Sequence, residues 1–295
     1  MTEYPKPAPS AKFVRGDDVA RRLIRDLDET PERWHAGPPF DSLDIRPGRV
    51  IVIGAPPGVG KTTAVQQIVT GLLGRQPELR CVVGNVETAP GTLAEKMLAR
   101  LASVELDAIM NRTMLAEERA LVEAAVEKHE EVFGRMAFLE HPFTSAHTMS
   151  VMQATGAKLA VLDYVQRFVA DDGKDSRSQL DKLMGQVRHL AGVGAGVILV
   201  SSVSRQKSSS GSSNYKSLSM ASLRGSAELE FGADSIYMLK REGTIATLEC
   251  CKQRFGNPLD IALRFDGPHQ RFDVGDPLDA FDSVPDPAAK GKGAK

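Results

Sequence analysis

The chain has 295 residues, of which 42% are hydrophobic and 25% charged, as in an ordinary soluble globular protein of one large or two small domains. Its formal net charge of −1 excludes a global basic field, so any contact with nucleic acid must come from a local patch. The three cysteines form no C-x-x-C pair, which argues against a disulfide framework or a zinc site. The lack of a signal peptide and of a membrane-length apolar run predicts a cytoplasmic protein without membrane contact.

The beginning of the chain predicts little packed structure. Residues 1–16 are Pro-rich and polar, and we expect a disordered arm. In the region of residues 17–37, a short helix is predicted over residues 17–29. The apolar side chains on one side of that helix are Val19, Leu23, Ile24 and Leu27.

The most informative segment is residues 51–63, IVIGAPPGVGKTT. A strand predicted at residues 49–53 enters a Gly/Pro-rich turn, which ends in Gly-Lys-Thr before an apolar helical run. Backbone N–H groups of such a loop and of a helix N-terminus converge on a polyphosphate. Lys61 supplies a charge for the β- and γ-phosphates, and the Thr62 hydroxyl is placed to hold Mg²⁺.

This pattern predicts a P-loop that binds ATP or GTP, and the flanking strand and helix disfavour the alternative of a chance loop. The first glycine of the usual pattern is replaced by Ala55, and Gly54 comes one residue too early. The residues predicted to bind the nucleotide are Ala55, Pro56, Pro57, Gly58, Val59, Gly60, Lys61, Thr62 and Thr63.

Strands and helices alternate farther along the chain. The predicted strands are residues 80–86, 136–139, 159–162 and 196–201, and the predicted helices are residues 92–101, 116–132 and 178–190. This order predicts an α/β protein with a mainly parallel sheet and helices on both faces. After the low-complexity segment 208–214, three runs at residues 235–239, 245–251 and 259–265 predict antiparallel strands added to the sheet. Residues 276–295 are expected to form a disordered tail.

Two carboxylates end predicted strands. Asp163 follows a short apolar run, and at the carboxyl end of a central strand it would hold Mg²⁺ beside the P-loop. Glu87 ends another apolar run and could orient the attacking water, although without further context a solvated loop glutamate is the better interpretation.

Cations follow two other strands. Arg205 and Lys207 begin a loop. Lys252 and Arg254 stand two residues apart, so that they share a side of a strand or of the turn that follows it. Taken alone, both pairs are better interpreted as a solvated basic edge.

Read in order, these segments resemble the C-terminal motor domain of DnaB-type replicative helicases, within the RecA-like P-loop superfamily. The resemblance covers residues 40–272 and implies a motor domain over residues 38–275. Besides the P-loop with its alanine, the matching blocks are Val86-Glu87-Thr88 with Lys96, Leu162-Asp163-Tyr164-Val165-Gln166, Val200-Ser201-Ser202-Val203-Ser204-Arg205, Leu223-Arg224-Gly225-Ser226, and Cys251-Lys252-Gln253-Arg254-Phe255-Gly256-Asn257-Pro258.

The resemblance assigns roles to the weaker signals. Glu87 becomes the general base, Lys61 the phosphate-binding cation, and Lys252 and Arg254 become residues that reach the γ-phosphate held by a neighbouring subunit. Arg205, Lys207, Arg224 and Gly225 fall in the segments that hold single-stranded DNA. The implied cofactors are ATP and Mg²⁺, and the implied partners are single-stranded DNA, copies of the chain in a hexamer, and replication or mobile-element proteins.

Several departures from the family pattern bear on how ATP hydrolysis is coupled to movement along DNA. Ser202 stands where the family has a glutamine thought to sense the γ-phosphate, Gly225 replaces a glutamate, and Lys96 replaces an arginine. Roughly 40 residues precede the motor, so we expect the family's N-terminal helical domain and its primase-docking surface to be absent. The helix at residues 17–29 is then either a remnant of the linker helix that packs on the adjacent subunit or a helix folded on its own domain.

Two functions of different classes follow. The first is a DNA-stimulated, Mg²⁺-dependent ATPase that forms a hexameric ring and moves 5′ to 3′ along single-stranded DNA. The second is an ATP-gated module that binds DNA or a partner, for loading or recombination, with little unwinding. A circadian-type or recombinase-type relative fits less well, because the block from Lys252 to Arg254 is typical of DnaB-type proteins.

Overall fold

The computed structural model describes residues 14–168, 176–203, 206–207, 213–214, 220–223 and 226–276. The chain divides into two compact units between Glu32 and Arg33. In the first unit, α1 (Gly16–Asp26) is amphipathic and has no buried residue. Most of the predicted arm and nearly all of the predicted tail lie outside the described residues.

The second unit is built around a nine-stranded sheet in the order β11-β10-β9-β8-β1-β5-β4-β2-β3. Pairing from β8 through β1, β5, β4 and β2 to β3 is parallel, and β9, β10 and β11 add antiparallel strands at one edge. The strands are β1 (Val50–Ala55), β2 (Cys81–Asn85), β3 (Met136–Phe138), β4 (Leu159–Asp163), β5 (Gly196–Ser202), β8 (Ser235–Glu242), β9 (Ile245–Gln253), β10 (Ile261–Asp266) and β11 (Arg271–Val274). A separate two-stranded ribbon pairs β6 (Gln206–Lys207) with β7 (Ser213–Asn214).

Helices cover both faces of the sheet. They are α2 (Lys61–Arg75), α3 (Pro90–Ala102), α4 (Leu106–Met110), α5 (Ala116–Lys128), α6 (Glu130–Gly134), α7 (Ser145–Thr155), α8 (Ser176–Gly192) and α9 (Ser226–Gly232), with 3₁₀ turns at Val165–Arg167 and Met220–Ser222. None of the helices in the described part of the chain is long and apolar enough to cross a membrane.

Two apolar cores form because strand side chains alternate between the faces. In β1, Ile51 and Ile53 join the core under α2, whereas Val50 and Val52 join the core under α8 and α9. Strands buried on both faces read as continuous apolar runs, which is why β1, β4 and β5 were visible in the sequence.

The predicted fold class is confirmed: the sheet is mainly parallel, and the added antiparallel strands come from the C-terminal part of the chain. The elements that were not predicted include α4, α7, α9 and β11. The start of α7 is fixed by the Thr144 hydroxyl, which accepts from the His147 N–H at 3.1 Å, a polar signal that hydrophobic periodicity does not carry. The helix predicted at residues 116–132 is divided at His129, whose φ of −112° and ψ of 15° are not helical.

Candidate nucleotide site and its distant cations

The loop between β1 and α2 has the backbone that a phosphate cradle needs. Gly58 and Gly60 adopt φ of +78° and +97°, which only glycine takes readily. A Cβ at Gly60 would lie 2.8 Å from the ring of Phe272, so space also requires glycine there. The loop ends at the first turn of α2, where helix N–H groups have no intrahelical partner.

The alanine at the start of the loop is explained by its place in the sheet. Ala55 pairs with Ser202 in the parallel ladder and is buried in extended conformation, so it needs no positive φ. The need for glycine falls one residue earlier, because a Cβ at Gly54 would overlap the side chain of Leu223 and lie 3.1 Å from Met238.

Two side chains outside the sequence motif, those of Arg241 and Gln270, contact the P-loop segment. Arg241 of β8 donates to the carbonyl oxygens of Gly58 at 2.7 Å and Val59 at 3.2 Å. The Thr63 hydroxyl donates to Gln270 at 2.9 Å and is used in packing the β10–β11 turn. Neither contact has a short-range sequence signal, since the partners are separated by roughly 180 to 210 residues.

The remaining loop residues occupy the expected position at the carboxyl end of β1. Pro56 is buried, Pro57 is exposed, and Val59 packs in part against the core under α2. The predicted P-loop residues are therefore contiguous around one cradle.

Thr62 and Asp163, predicted to hold the metal, are brought together. The Thr62 hydroxyl donates to Asp163 Oδ2 at 2.9 Å. Asp163 is 4% exposed, and burial raises the pKa of its carboxyl group, whereas Lys61 and the Thr62 hydrogen bond oppose that rise. A hydroxyl and a carboxylate are the hard oxygen donors that Mg²⁺ prefers alongside substrate phosphates, so the pair fits the ion.

Lys61 stands at the start of α2, with its ammonium 5.3 Å from the centre of the Tyr164 ring. Tyr164 directly follows Asp163, and the charge of Lys61 is near enough to lower the pKa of the Asp163 carboxyl group against the rise that burial causes.

Glu87 lies at the same edge of the sheet, beyond the end of β2, and is exposed. It is close enough that its charge raises the pKa of Asp163, while Lys96 lowers it. Asn85, which belongs to no motif in the sequence, donates to Asp163 Oδ2 at 2.8 Å and accepts from the backbone N–H of Glu87 at 3.0 Å.

The carboxyl end of β5 completes this edge. Gln166 donates to the Ser201 hydroxyl at 2.7 Å and accepts from the Ser202 N–H at 3.4 Å. Ser202 Oγ is buried and has no hydrogen-bond partner among the described residues.

Lys252 and Arg254 lie on the opposite side of the sheet from the P-loop, at the amino ends of the parallel strands. β8 runs parallel to β1, with Ser235 level with Ile51 near the start of β1, and Gln253 pairs with Ser235. The P-loop follows the far end of β1, about 13 Å farther along at roughly 3.3 Å per residue. The two cations therefore do not meet the nucleotide site of their own chain.

A bulge in β9 directs Lys252 toward α9. Cys251 is an extra residue relative to β8, so that Lys252 lies opposite Ile236 on the face that α9 covers. Its ammonium donates to the carbonyl oxygens of Glu230 and, at 2.9 Å, Ala233. Burial and the nearby guanidinium of Arg254 lower the pKa of Lys252.

Arg254 is held by a buried carboxylate. Asp234 is 2% exposed and pairs with Arg254 at 3.0 Å and with Arg188 at 2.7 Å. It also accepts from the Val50 N–H at 2.9 Å, which ties this ion pair to the start of β1. The guanidinium of Arg254 further donates to the carbonyl oxygen of Phe231 at 3.2 Å.

The residues predicted to contact DNA are hardly covered by the structure. Arg205, Arg224 and Gly225 lie outside the described residues, and only the backbone of Lys207, in β6, is described.

The family model described as "DnaB-like helicase C terminal domain" matches residues 42–274. A solved structure titled as an ATPase domain is similar with a TM-score of 0.76 at 17% identity, covering 90% of this chain and 100% of that one. A second, titled "The Structure Of A DnaB-Like Replicative Helicase And Its Interactions With Primase", has a TM-score of 0.73 at 17% identity, covering 90% and 68%. A KaiC-like protein of Pyrococcus horikoshii has a TM-score of 0.57 at 17% identity, covering 84% and 100%. No match is found among curated protein sequences. The structural likenesses establish a RecA-like ATPase fold.

Proposed function

This chain belongs to the family of DnaB-like helicase C-terminal domains, and from that premise we propose a DNA-stimulated, Mg²⁺-dependent ATPase that acts as a hexameric ring and moves 5′ to 3′ along single-stranded DNA in the cytoplasm. The observation that carries the proposal is the cluster at the carboxyl edge of the sheet. There Thr62 of the P-loop is hydrogen-bonded to Asp163, and Glu87 is near the same carboxylate, so the groups that hydrolysis of a nucleoside triphosphate needs are together.

Each residue of the cluster has a separate task. When bound, ATP and Mg²⁺ supply the phosphoryl group that water accepts and the charge that offsets the phosphates. Lys61 and the loop N–H groups bind those phosphates, and Thr62 and Asp163 hold the ion. Glu87 orients the attacking water and takes its proton.

Lys252 and Arg254 act on the site of a neighbouring copy in this proposal. Their place at the amino edge of the sheet supports it, since they are remote from the P-loop of their own chain. A cation donated to a neighbour stabilises the transition state only when that neighbour is docked. Hydrolysis would then depend on assembly.

DNA contact is proposed for Arg205, Lys207, Arg224 and Gly225. A few cations in each subunit, repeated around a ring, bind a phosphate backbone although the chain has a net charge of −1. Replication or mobile-element proteins are the proposed further partners. One structural relative has primase in its title, which supports replication proteins as a class of partner, although the primase-docking surface itself is expected to be absent.

Helix α1 is proposed to dock on an adjacent subunit. Val19, Leu23, Ile24 and Leu27 are between 54% and 68% exposed. An apolar stripe of this kind is stabilised only when another surface covers it.

A second function, an ATP-gated binding module with little unwinding, is favoured by one observation. Ser202 Oγ is buried and unpaired among the described residues. In the proposed module, this short side chain does not connect the bound nucleotide to a DNA-binding loop, as the longer glutamine of the family is thought to do. A forked-duplex strand-separation assay distinguishes the two functions, because the module would hydrolyse ATP without separating strands.

The proposed ATPase is tested by measuring ATP turnover with Mg²⁺, with and without single-stranded DNA. We expect DNA to raise the rate, and Glu87→Gln to lower kcat by about 100-fold or more, because loss of a general base costs about 10²–10⁴. Glu140→Gln, at an exposed position elsewhere in the chain, is the matched control and should keep the full rate. An unmodified protein that fails to hydrolyse ATP, or a Glu87→Gln variant as fast as the control, would contradict the proposal.

A further inference from the structure

We propose that Asn85 is a positioning residue that fixes the metal-side carboxylate of Asp163 and the Glu87 loop relative to each other. The inference rests on the proposed ATPase function and adds to it a residue that no motif assigns. One planar side chain links the two groups whose separation decides where the ion and the water lie.

The amide nitrogen of Asn85 fixes the carboxylate. Asn85 and Asp163 are directly paired in the parallel ladder of β2 and β4, and Nδ2 donates to Asp163 Oδ2 at 2.8 Å. The same oxygen accepts from the Thr62 hydroxyl at 2.9 Å. Because Asp163 is 4% exposed, the loss of a donor leaves a buried charge under-satisfied.

The amide oxygen of Asn85 fixes the loop. Oδ1 accepts from the backbone N–H of Glu87 at 3.0 Å and of Thr88 at 2.7 Å. This is the turn that asparagine and aspartate make with the backbone that follows them. The direction in which Glu87 leaves the strand is therefore set by the side chain two residues before it.

No other common side chain of this size does both. An ionised aspartate accepts at both ends and cannot donate to Asp163, whereas leucine has a similar shape and does neither. The N–H of Val86 also donates to the Asp163 carbonyl oxygen at 2.9 Å, so the backbone holds the two strand ends together. What Asn85 adds is the placement of the side chains and of the turn.

The test uses the full chain with Asn85→Ala, Asn85→Asp and, as a matched control, Asn111→Ala. Asn111 also donates to an aspartate, Asp107, at 2.8 Å, but on the exposed surface of α4. Three quantities are measured: kcat, the dissociation constant for ADP without Mg²⁺, and hydrogen exchange of the Glu87 and Thr88 amides.

For Asn85→Ala we expect kcat to fall about 10- to 100-fold, the range for losing a hydrogen bond to a charged group, while ADP binds within about twofold. Exchange of the two amides should accelerate because their acceptor is gone. Asn85→Asp should keep the slow exchange, since its oxygen still accepts, and should lose kcat, since its donor is gone. Asn111→Ala should change none of the three quantities.

The inference is overturned if Asn85→Ala keeps the unmodified kcat, or if its Glu87 and Thr88 amides exchange as slowly as before. If the unmodified chain hydrolyses no ATP, the proposed function fails instead, and the exchange measurement still decides whether Asn85 holds the loop.

Discussion

At the scale of single residues, the candidate site carries a folding cost. Asp163 is almost fully buried, and burial raises the pKa of its carboxyl group although Lys61 and Thr62 oppose the rise. A raised pKa means that folding disfavours the ionised form. Such a group is kept where catalysis or ion binding needs it, at the expense of stability.

We therefore expect Asp163→Asn to stabilise the metal-free protein at pH 7 while abolishing ATP turnover. The amide removes the buried charge, and its oxygen still accepts from Thr62 and Asn85. A gain of about 1 kcal/mol would raise Tm by about 2–4 °C in a domain of this size. Thermal unfolding in EDTA measures it, with Asp181→Asn, on exposed surface of α8, as the control. A lower Tm for Asp163→Asn would show that the carboxylate stabilises the fold.

Single residues of the site were predictable where a motif placed them on a strand end or in the loop. Lys61, Thr62 and Asp163 lie near one another, because parallel strands have their carboxyl ends on the same side of a sheet. The contacts of Asn85 and Arg241 could not be predicted, because they depend on which strands are neighbours in the sheet. Asn85 pairs with Asp163 of β4, and Arg241 of β8 donates to the P-loop.

At the scale of elements, the described part of α1 has an apolar stripe that its own unit leaves exposed. Between Gly16 and Asp26 no residue is buried, and the stripe is formed by Val19, Leu23 and Ile24, with Leu27 beyond the helix end. Exposed apolar side chains on one side of a helix, three within α1 and one directly after it, favour docking against another surface.

If α1 docks on an adjacent copy, Leu23→Ser with Leu27→Ser should lower the oligomer mass in dilute solution. The matched control is Arg21→Ser with Arg25→Ser, which places the same residues on the opposite side of the helix. The Tm of the second unit, which begins at Arg33, should be unchanged in both variants. Mass photometry with ATP measures the effect, and equal oligomer distributions for the two variants would contradict the docking role.

The elements that periodicity predicted are those buried on both faces or strongly apolar, such as β1, β4, β5 and α2. The missed elements owe their structure to tertiary contacts. β11 is held by pairing with β10 and by Gln67, which exchanges two hydrogen bonds with the Phe272 backbone at 2.7 and 2.8 Å. The bulge at Cys251, which sets the direction of Lys252, follows from pairing with β8 and has no local sequence signal.

At the scale of the whole molecule, the two sets of residues proposed to act in ATP hydrolysis lie at opposite ends of the parallel strands. The groups proposed to bind phosphate and metal lie at the carboxyl ends of its parallel strands. Lys252 and Arg254 lie at the amino ends, where Asp234 and the end of α9 hold them. A molecule with complementary groups at opposite edges is suited to head-to-tail contacts between copies, which close into rings when the rotation allows. The central claim is therefore that a nucleotide site is shared between two copies.

Mixing two inactive variants tests that claim most directly. Lys61→Ala lacks a working P-loop but keeps Arg254, whereas Arg254→Ala keeps the P-loop and lacks the donated cation. In an equal mixture with DNA, random assembly makes about a quarter of the interfaces complete, so we expect ATP turnover well above the sum of the two variants measured alone. A mixture no faster than that sum, or an Arg254→Ala variant with the full DNA-stimulated rate by itself, would contradict the shared site.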